Sequence, residues 1–151
     1  MLPHLSPESR SRRSWCLSVS GAVAPSAPAL LCDGPVSPGR DAGKLAARLT
    51  AAGIDPGAIT KVIITHGHPD HIAGLVEGGA PAFPNARYIF GRAEFDYWKK
   101  GENIRDRRKG NQKQFVEICV PLADRSTFLD PGSDVVTGVT AIEAFGHSAG
   151  H

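Results

Sequence analysis

Residues 61–71 read Lys61-Val62-Ile63-Ile64-Thr65-His66-Gly67-His68-Pro69-Asp70-His71. The first five form a short β-branched apolar run, the signature of a buried strand. The next six place three imidazoles and a carboxylate on the loop that leaves it. Imidazole nitrogen and carboxylate oxygen are the donors that zinc accepts at about 2.0–2.2 Å. Histidines two apart on an extended loop converge on one ion, and Gly67 permits the close backbone approach this needs. Pro69 stiffens the turn that swings Asp70 and His71 to the other side. Without a metal, three imidazoles this close would repel one another on protonation.

A second cluster, Gly146-His147-Ser148-Ala149-Gly150-His151, holds two more of the six histidines. His147 is the candidate third imidazole for the ion held by His66 and His68. His151 is read as a neighbour that supports the site without binding the ion.

The segments around these clusters alternate helix and strand. Asp41 is placed to cap a helix carrying Leu45, Leu49 and Ala52, which Gly53 ends. Asp55-Pro56-Gly57 is a turn. Ile72, Leu75 and Val76 predict a short helix after the histidine loop. Arg87-Tyr88-Ile89-Phe90 reads as a strand, and Arg92 to Lys100 as a helix with Phe95 and Trp98 on one face. Three residues apart on a helix, those two aromatics read as core. A further helix is expected from near Gln112, turning Phe115, Val116 and Cys119 inward until Pro121 disturbs it. Thr127 to Leu129 reads as a strand. Val135-Val136 and Val139 to Phe145 read as a hairpin around Thr137-Gly138. Both histidine clusters are therefore expected at the C-terminal ends of strands, where strand-and-helix folds carry their chemistry.

The chain has 151 residues and formal net charge +2. That size allows one domain, and that charge implies no general attraction to nucleic acid or acidic membranes. No run of 18 apolar residues occurs, so no membrane-spanning helix is expected. The three cysteines, Cys16, Cys32 and Cys119, form no CxxC pair and no disulfide framework. Residues 1–40 hold six of the twelve prolines and eight serines. They read as a poorly ordered arm with one apolar stretch, Ala29 to Cys32, ahead of a domain from 41 to 151. A cytoplasmic location is expected. Ser11-Arg12-Arg13-Ser14-Trp15 and Ala22-Val23-Ala24 leave export through a twin-arginine-like signal as the alternative.

His66 to His71 resembles the HxHxDH motif of the metallo-β-lactamase-fold hydrolases, and Gly146 to His151 is similar to that family's GHTxGH segment. The resemblance covers about residues 40–151. Phe83 to Ile89 and Gly91 to Trp98 look like the branch holding methyl parathion hydrolase and the quorum-quenching lactonases. The resemblance implies an α/β fold, the N-terminal part of a four-layer αββα sandwich. It implies two zinc ions, with iron or manganese as alternatives. His66, His68 and His147 would hold the first, and Asp70 and His71 the second. A hydroxide made available by the metals would attack an ester, lactone or phosphotriester, with Asp70 orienting the water. The partner expected is a small molecule. Glyoxalase-II-like thioester hydrolysis shares the same loop. Nucleic acid is not expected, because RNA-processing relatives carry glycine where Pro69 stands. The family's bridging aspartate and final histidine would follow the GHTxGH segment. On this reading the chain is a truncated member with at most one well-liganded site. A metal-binding half-domain without turnover is the non-enzymatic alternative.

Overall fold

The structure is a computed structural model that describes residues 16–19, 29–32 and 45–151. The Asp41 cap, the arginine pair and the Ala22-Val23-Ala24 site lie outside these residues. Along the chain come β1 (Cys16–Val19), β2 (Ala29–Cys32) and α1 (Leu45–Ala51), then β3 (Lys61–Ile64) and α2 (Pro69–Ile72). Two short strands follow, β4 (Val76–Glu77) and β5 (Ala80–Pro81), then β6 (Arg87–Gly91) and α3 (Arg92–Lys100). α4 (Lys109–Ile118) precedes β7 (Ser126–Leu129), β8 (Asp134–Val136) and β9 (Val139–Thr140).

Five strands form one sheet in the order β1-β2-β3-β6-β7. β1 runs antiparallel to β2, and the other pairings are parallel. β1 and β2 lie inside the stretch that composition sets apart as an arm. β2 is its apolar segment, with Leu30 in register with Val62 and Cys32 with Ile64. β3 sits between β2 and β6, where a β-branched run suits an interior strand; Val62 and Ile64 are buried, and Lys61 and Ile63 on the other face are half-buried.

One face of the sheet carries the core. Val62, Ile64, Tyr88 and Phe90 are buried there with Phe95 and Trp98 from α3, Phe115 from α4 and Cys119 at the C-terminal cap of α4. The helix aromatics interlock: Phe95 and Phe115 meet edge-on at 5.4 Å, and Trp98 stacks over Phe115 at 6.2 Å between centroids. These are the offset and edge geometries that ring quadrupoles favour. Gly101 ends α3 in the left-handed region at φ 69°, returning its N–H to the Tyr97 carbonyl, a position that suits a residue without Cβ.

Four expectations need correction. The short helix expected over Ile72, Leu75 and Val76 ends in a 3-10 turn at Ala73–Leu75, and Val76 opens β4. α4 starts at Lys109, three residues ahead of Gln112, on a 3-10 turn at Asp106–Arg108. Val116 does not turn inward and is 36% exposed. Phe115 and Cys119, four apart, hold the buried face, and Val116 is rotated about 100° from Phe115. The strand expected over Val139 to Phe145 stops at Thr140, where its pairing with β8 ends. Ile142 and Phe145 are 81% and 57% exposed. Backbone bonds join Ala141 to Gly132 and Ser133, but no strand pairing is described beyond Thr140, so alternation alone overstated the strand and His147 does not follow directly on a strand end as expected.

Adjacent positions on α4 give a direct check. Phe115→Ala should cost about 3–5 kcal/mol of unfolding free energy, whereas Val116→Ala should stay within about 0.5 kcal/mol of the parent. Urea denaturation of the two variants beside the parent measures both.

Candidate metal centre

β3 releases the chain at Ile64, and the loop His66 to His68 leads straight into α2. Pro69 occupies the first turn of α2, and His68 stands before it in extended conformation. Proline fits there because its fixed φ suits the helix and its missing N–H is not needed. The Thr65 hydroxyl lies 3.1 Å from His66 Nδ1, which leaves His66 Nε2 to face the cluster. His147 arrives from the other end of the chain. Its Nε2 lies 3.1 Å from His66 Nε2 and 3.1 Å from His68 Nδ1.

Three ring nitrogens thus converge, all within 4.8 Å of one another. A tetrahedral zinc ion with bonds of about 2.0–2.1 Å sets its nitrogens roughly 3.3 Å apart, close to the two 3.1 Å separations from His147. Hydrogen bonding explains it less well. One ring nitrogen offers either one proton or one lone pair, so His147 Nε2 cannot serve both neighbours at once. Three lone pairs directed at a shared cation satisfy all of them, and the residues present fit a divalent metal.

The electrostatics agree with neutral ligands. Burial, then the neighbouring His71, His68, His147 and His151, hold the His66 pKa down from 6.5 to about 3. Burial, His147 and Arg108 lower that of His68, against opposing pulls from Asp70 and Glu94. Neutral imidazole is the form that binds metal.

The other residues singled out in the sequence surround this group without entering it. His71 packs against His66 at 3.9 Å between ring centroids, and its Nε2 lies 3.7 Å from Asp70 Oδ2. His151 lies 4.8 Å from His66 by ring centroids, and its Nδ1 donates to the Ala144 carbonyl at 3.1 Å. A cavity of about 280 Å³ opens beside His147, lined by Tyr97, Arg105, Arg108 and Phe145 among others.

Glu94 escaped the sequence reading. It is 1% exposed and accepts from Gly67 N–H at 2.8 Å and Trp98 Nε1 at 2.7 Å on one oxygen. On the other it accepts from Ser148 Oγ at 2.6 Å and Gly150 N–H at 3.0 Å. The signal was present: Glu94 stands four residues before Trp98, so a carboxylate occupies the apolar stripe of its helix.

A sequence profile of the Metallo-beta-lactamase superfamily matches residues 22–151. The chain belongs to the metallo-beta-lactamase superfamily. Among solved structures, this superfamily member resembles the hydrolase AbOPH, at 26% identity and TM-score 0.71, over 83% of this chain and 46% of that one. It also resembles AidC, a dizinc quorum-quenching lactonase solved with the product N-hexanoyl-L-homoserine, at 25% identity and TM-score 0.69, over 82% of this chain and 46% of that one. An uncharacterized protein of Caenorhabditis elegans is 45% identical over 47 residues, 31% of this chain and 12% of that protein. The chain spans about half the length of these two solved structures. Among the described residues, no helix is long and apolar enough to cross a membrane.

The depressed histidine fixes the sign of a pH effect. Between pH 6.5 and about 3 the unfolded chain protonates His66 and the folded chain does not. The unfolded state then binds more protons, so stability falls as pH is lowered through that window. With chelator present, urea midpoints measured from pH 7.5 to 4.5 should fall, and fall less steeply in His66→Gln.

Proposed function

We propose that this protein is a metal-dependent hydrolase of a small-molecule lactone, ester or phosphotriester. The convergence of His66 Nε2, His68 Nδ1 and His147 Nε2 carries the reading. The likeness to AidC, crystallised with an opened lactone, supports the lactone end of that range. A bound divalent cation would supply Lewis acidity and an activated water near neutral pH.

The chain's own residues divide the remaining work. His66, His68 and His147 hold the first cation. Asp70 and His71, adjacent at 3.7 Å, are the donors for a second. The Asp70 side chain is 36% exposed, so it is free to orient the attacking water and take up its proton. The cavity beside His147 is where the acyl or leaving portion of the substrate would lie, against Tyr97 and Phe145. Zinc fits the donor set, and iron or manganese are accepted by the same ligand types.

A second reading is metal binding without turnover. It is favoured by the position of Asp70 and His71 outside the group of three converging ligands. Zinc titration followed by pH-stat assay on N-hexanoyl-homoserine lactone, a phosphotriester and a thioester separates the two. Zinc-dependent ring opening that chelator abolishes is the expected result. His147→Ala should lose at least the roughly 10–100-fold that loss of an outer partner costs a metal site. Zinc uptake with no hydrolysis of any of the three would establish the second reading instead.

A further inference from the structure

The two histidine segments are 79 residues apart between His68 and His147, and no described strand pairing joins them. Glu94 does. Its Oε1 accepts from Gly67, the residue between His66 and His68, and its Oε2 accepts from Ser148 and Gly150, on either side of Ala149 and directly after His147. Its fourth donor is Trp98 Nε1, and the Trp98 ring meets His68 edge-on at 5.5 Å. One carboxylate thus touches the backbone or neighbour of every converging imidazole.

Close packing holds the same arrangement from outside. A Cβ on Gly67 would stand 2.6 Å from both Phe115 Cδ2 and Trp98 Cδ1. A Cβ on Gly150 would stand 2.5 Å from Ala93 C and Glu94 Cα. Both loops therefore press their backbones onto α3, the first against its Trp98 side chain and the second against its first turn. Four donors meet the four lone-pair sites of a carboxylate, so the buried group is fully satisfied.

We infer that Glu94 is a positioning residue that clamps the His66–His68 loop to the His147 segment and thereby sets the affinity and geometry of the three-histidine metal site. It touches neither metal nor substrate. Its effect is preorganisation: the loops arrive already spaced for one ion, so binding does not have to order them. Ser148 is part of the device, because its hydroxyl makes the shortest of the four contacts.

This inference rests on the metal-centre reading above, and binding rather than turnover tests it. Zn²⁺ affinity of the purified chain is measured by competition with a chromophoric chelator, and ligand geometry by the visible absorption of the Co²⁺-loaded protein. Glu94→Gln sets an amide N–H₂ against an N–H whichever way it turns: against Gly67 and Trp98 on one side, or against Gly150 on the other, where the Ser148 hydroxyl can rotate to accept. It should weaken Zn²⁺ binding by about 10–100-fold and alter the Co²⁺ spectrum. Ser148→Ala, which removes one donor and keeps Glu94, should shift both in the same direction to a smaller extent. Both are read at a temperature where near-UV circular dichroism shows a folded chain. A merely structural role would lower the unfolding midpoint and leave affinity and spectrum alone, and that result in a folded Glu94→Gln overturns the inference. If Glu94→Gln does not fold, unchanged affinity and spectrum in Ser148→Ala overturn it equally. A parent chain that binds no Zn²⁺ overturns the metal-centre reading itself.

Discussion

Burying a carboxylate at 1% exposure is costly unless each of its lone pairs is met. Glu94 meets that condition with donors drawn from three separate places: its own helix, the loop after β3 and the segment after His147. The requirement works in both directions. The loops keep Glu94 satisfied, and Glu94 keeps the loops in place. Removing any one donor leaves a buried acceptor short, so the arrangement favours being complete. The converging histidines stand on that base.

The sheet contributes position, and the aromatic layer contributes rigidity. β3 and β6 run parallel, so their C-terminal ends point the same way. The first delivers the His66 loop, and the second runs directly into α3 with Glu94 in its first turn. Beneath them Trp98 and Phe115 fill the space so closely that position 67 has no room for a Cβ. That constraint is distinct from backbone freedom: the neighbours exclude the Cβ whatever the dihedral angles. The same enclosure is the first cause that holds the His66 pKa below its ordinary value.

Much of this was legible in the chain. The β3 run, the helix over Arg92 to Lys100 and the strands near Arg87 and Thr127 carry local periodicity, and local periodicity is what a sequence exposes. The proximity of His147 to His66 and His68 was suggested by resemblance and ligand count, and the structure brings those three nitrogens together. The Val139 to Phe145 strand was overread because alternation describes a side-chain pattern and says nothing about whether a neighbouring strand exists to pair with. Val116 does not share the buried face because Phe115 and Cys119, one turn apart, already define it and the next residue after Phe115 turns away. β1 and β2 were hard to see in a proline- and serine-rich stretch, where propensity is a weak guide and long-range pairing decides.

The donor types, their spacing within each cluster and the strand that precedes the first can be read along the chain. These follow from covalent order and local preference. That Glu94, on an apolar helical stripe, bonds to both clusters, that Gly67 and Gly150 are required by packing, and that Asp70 and His71 stand beside the histidine group emerges only in the folded molecule. Each of these depends on which surfaces meet across tens of residues. That is set by core packing and by the need to satisfy a buried charge, neither of which any single segment encodes.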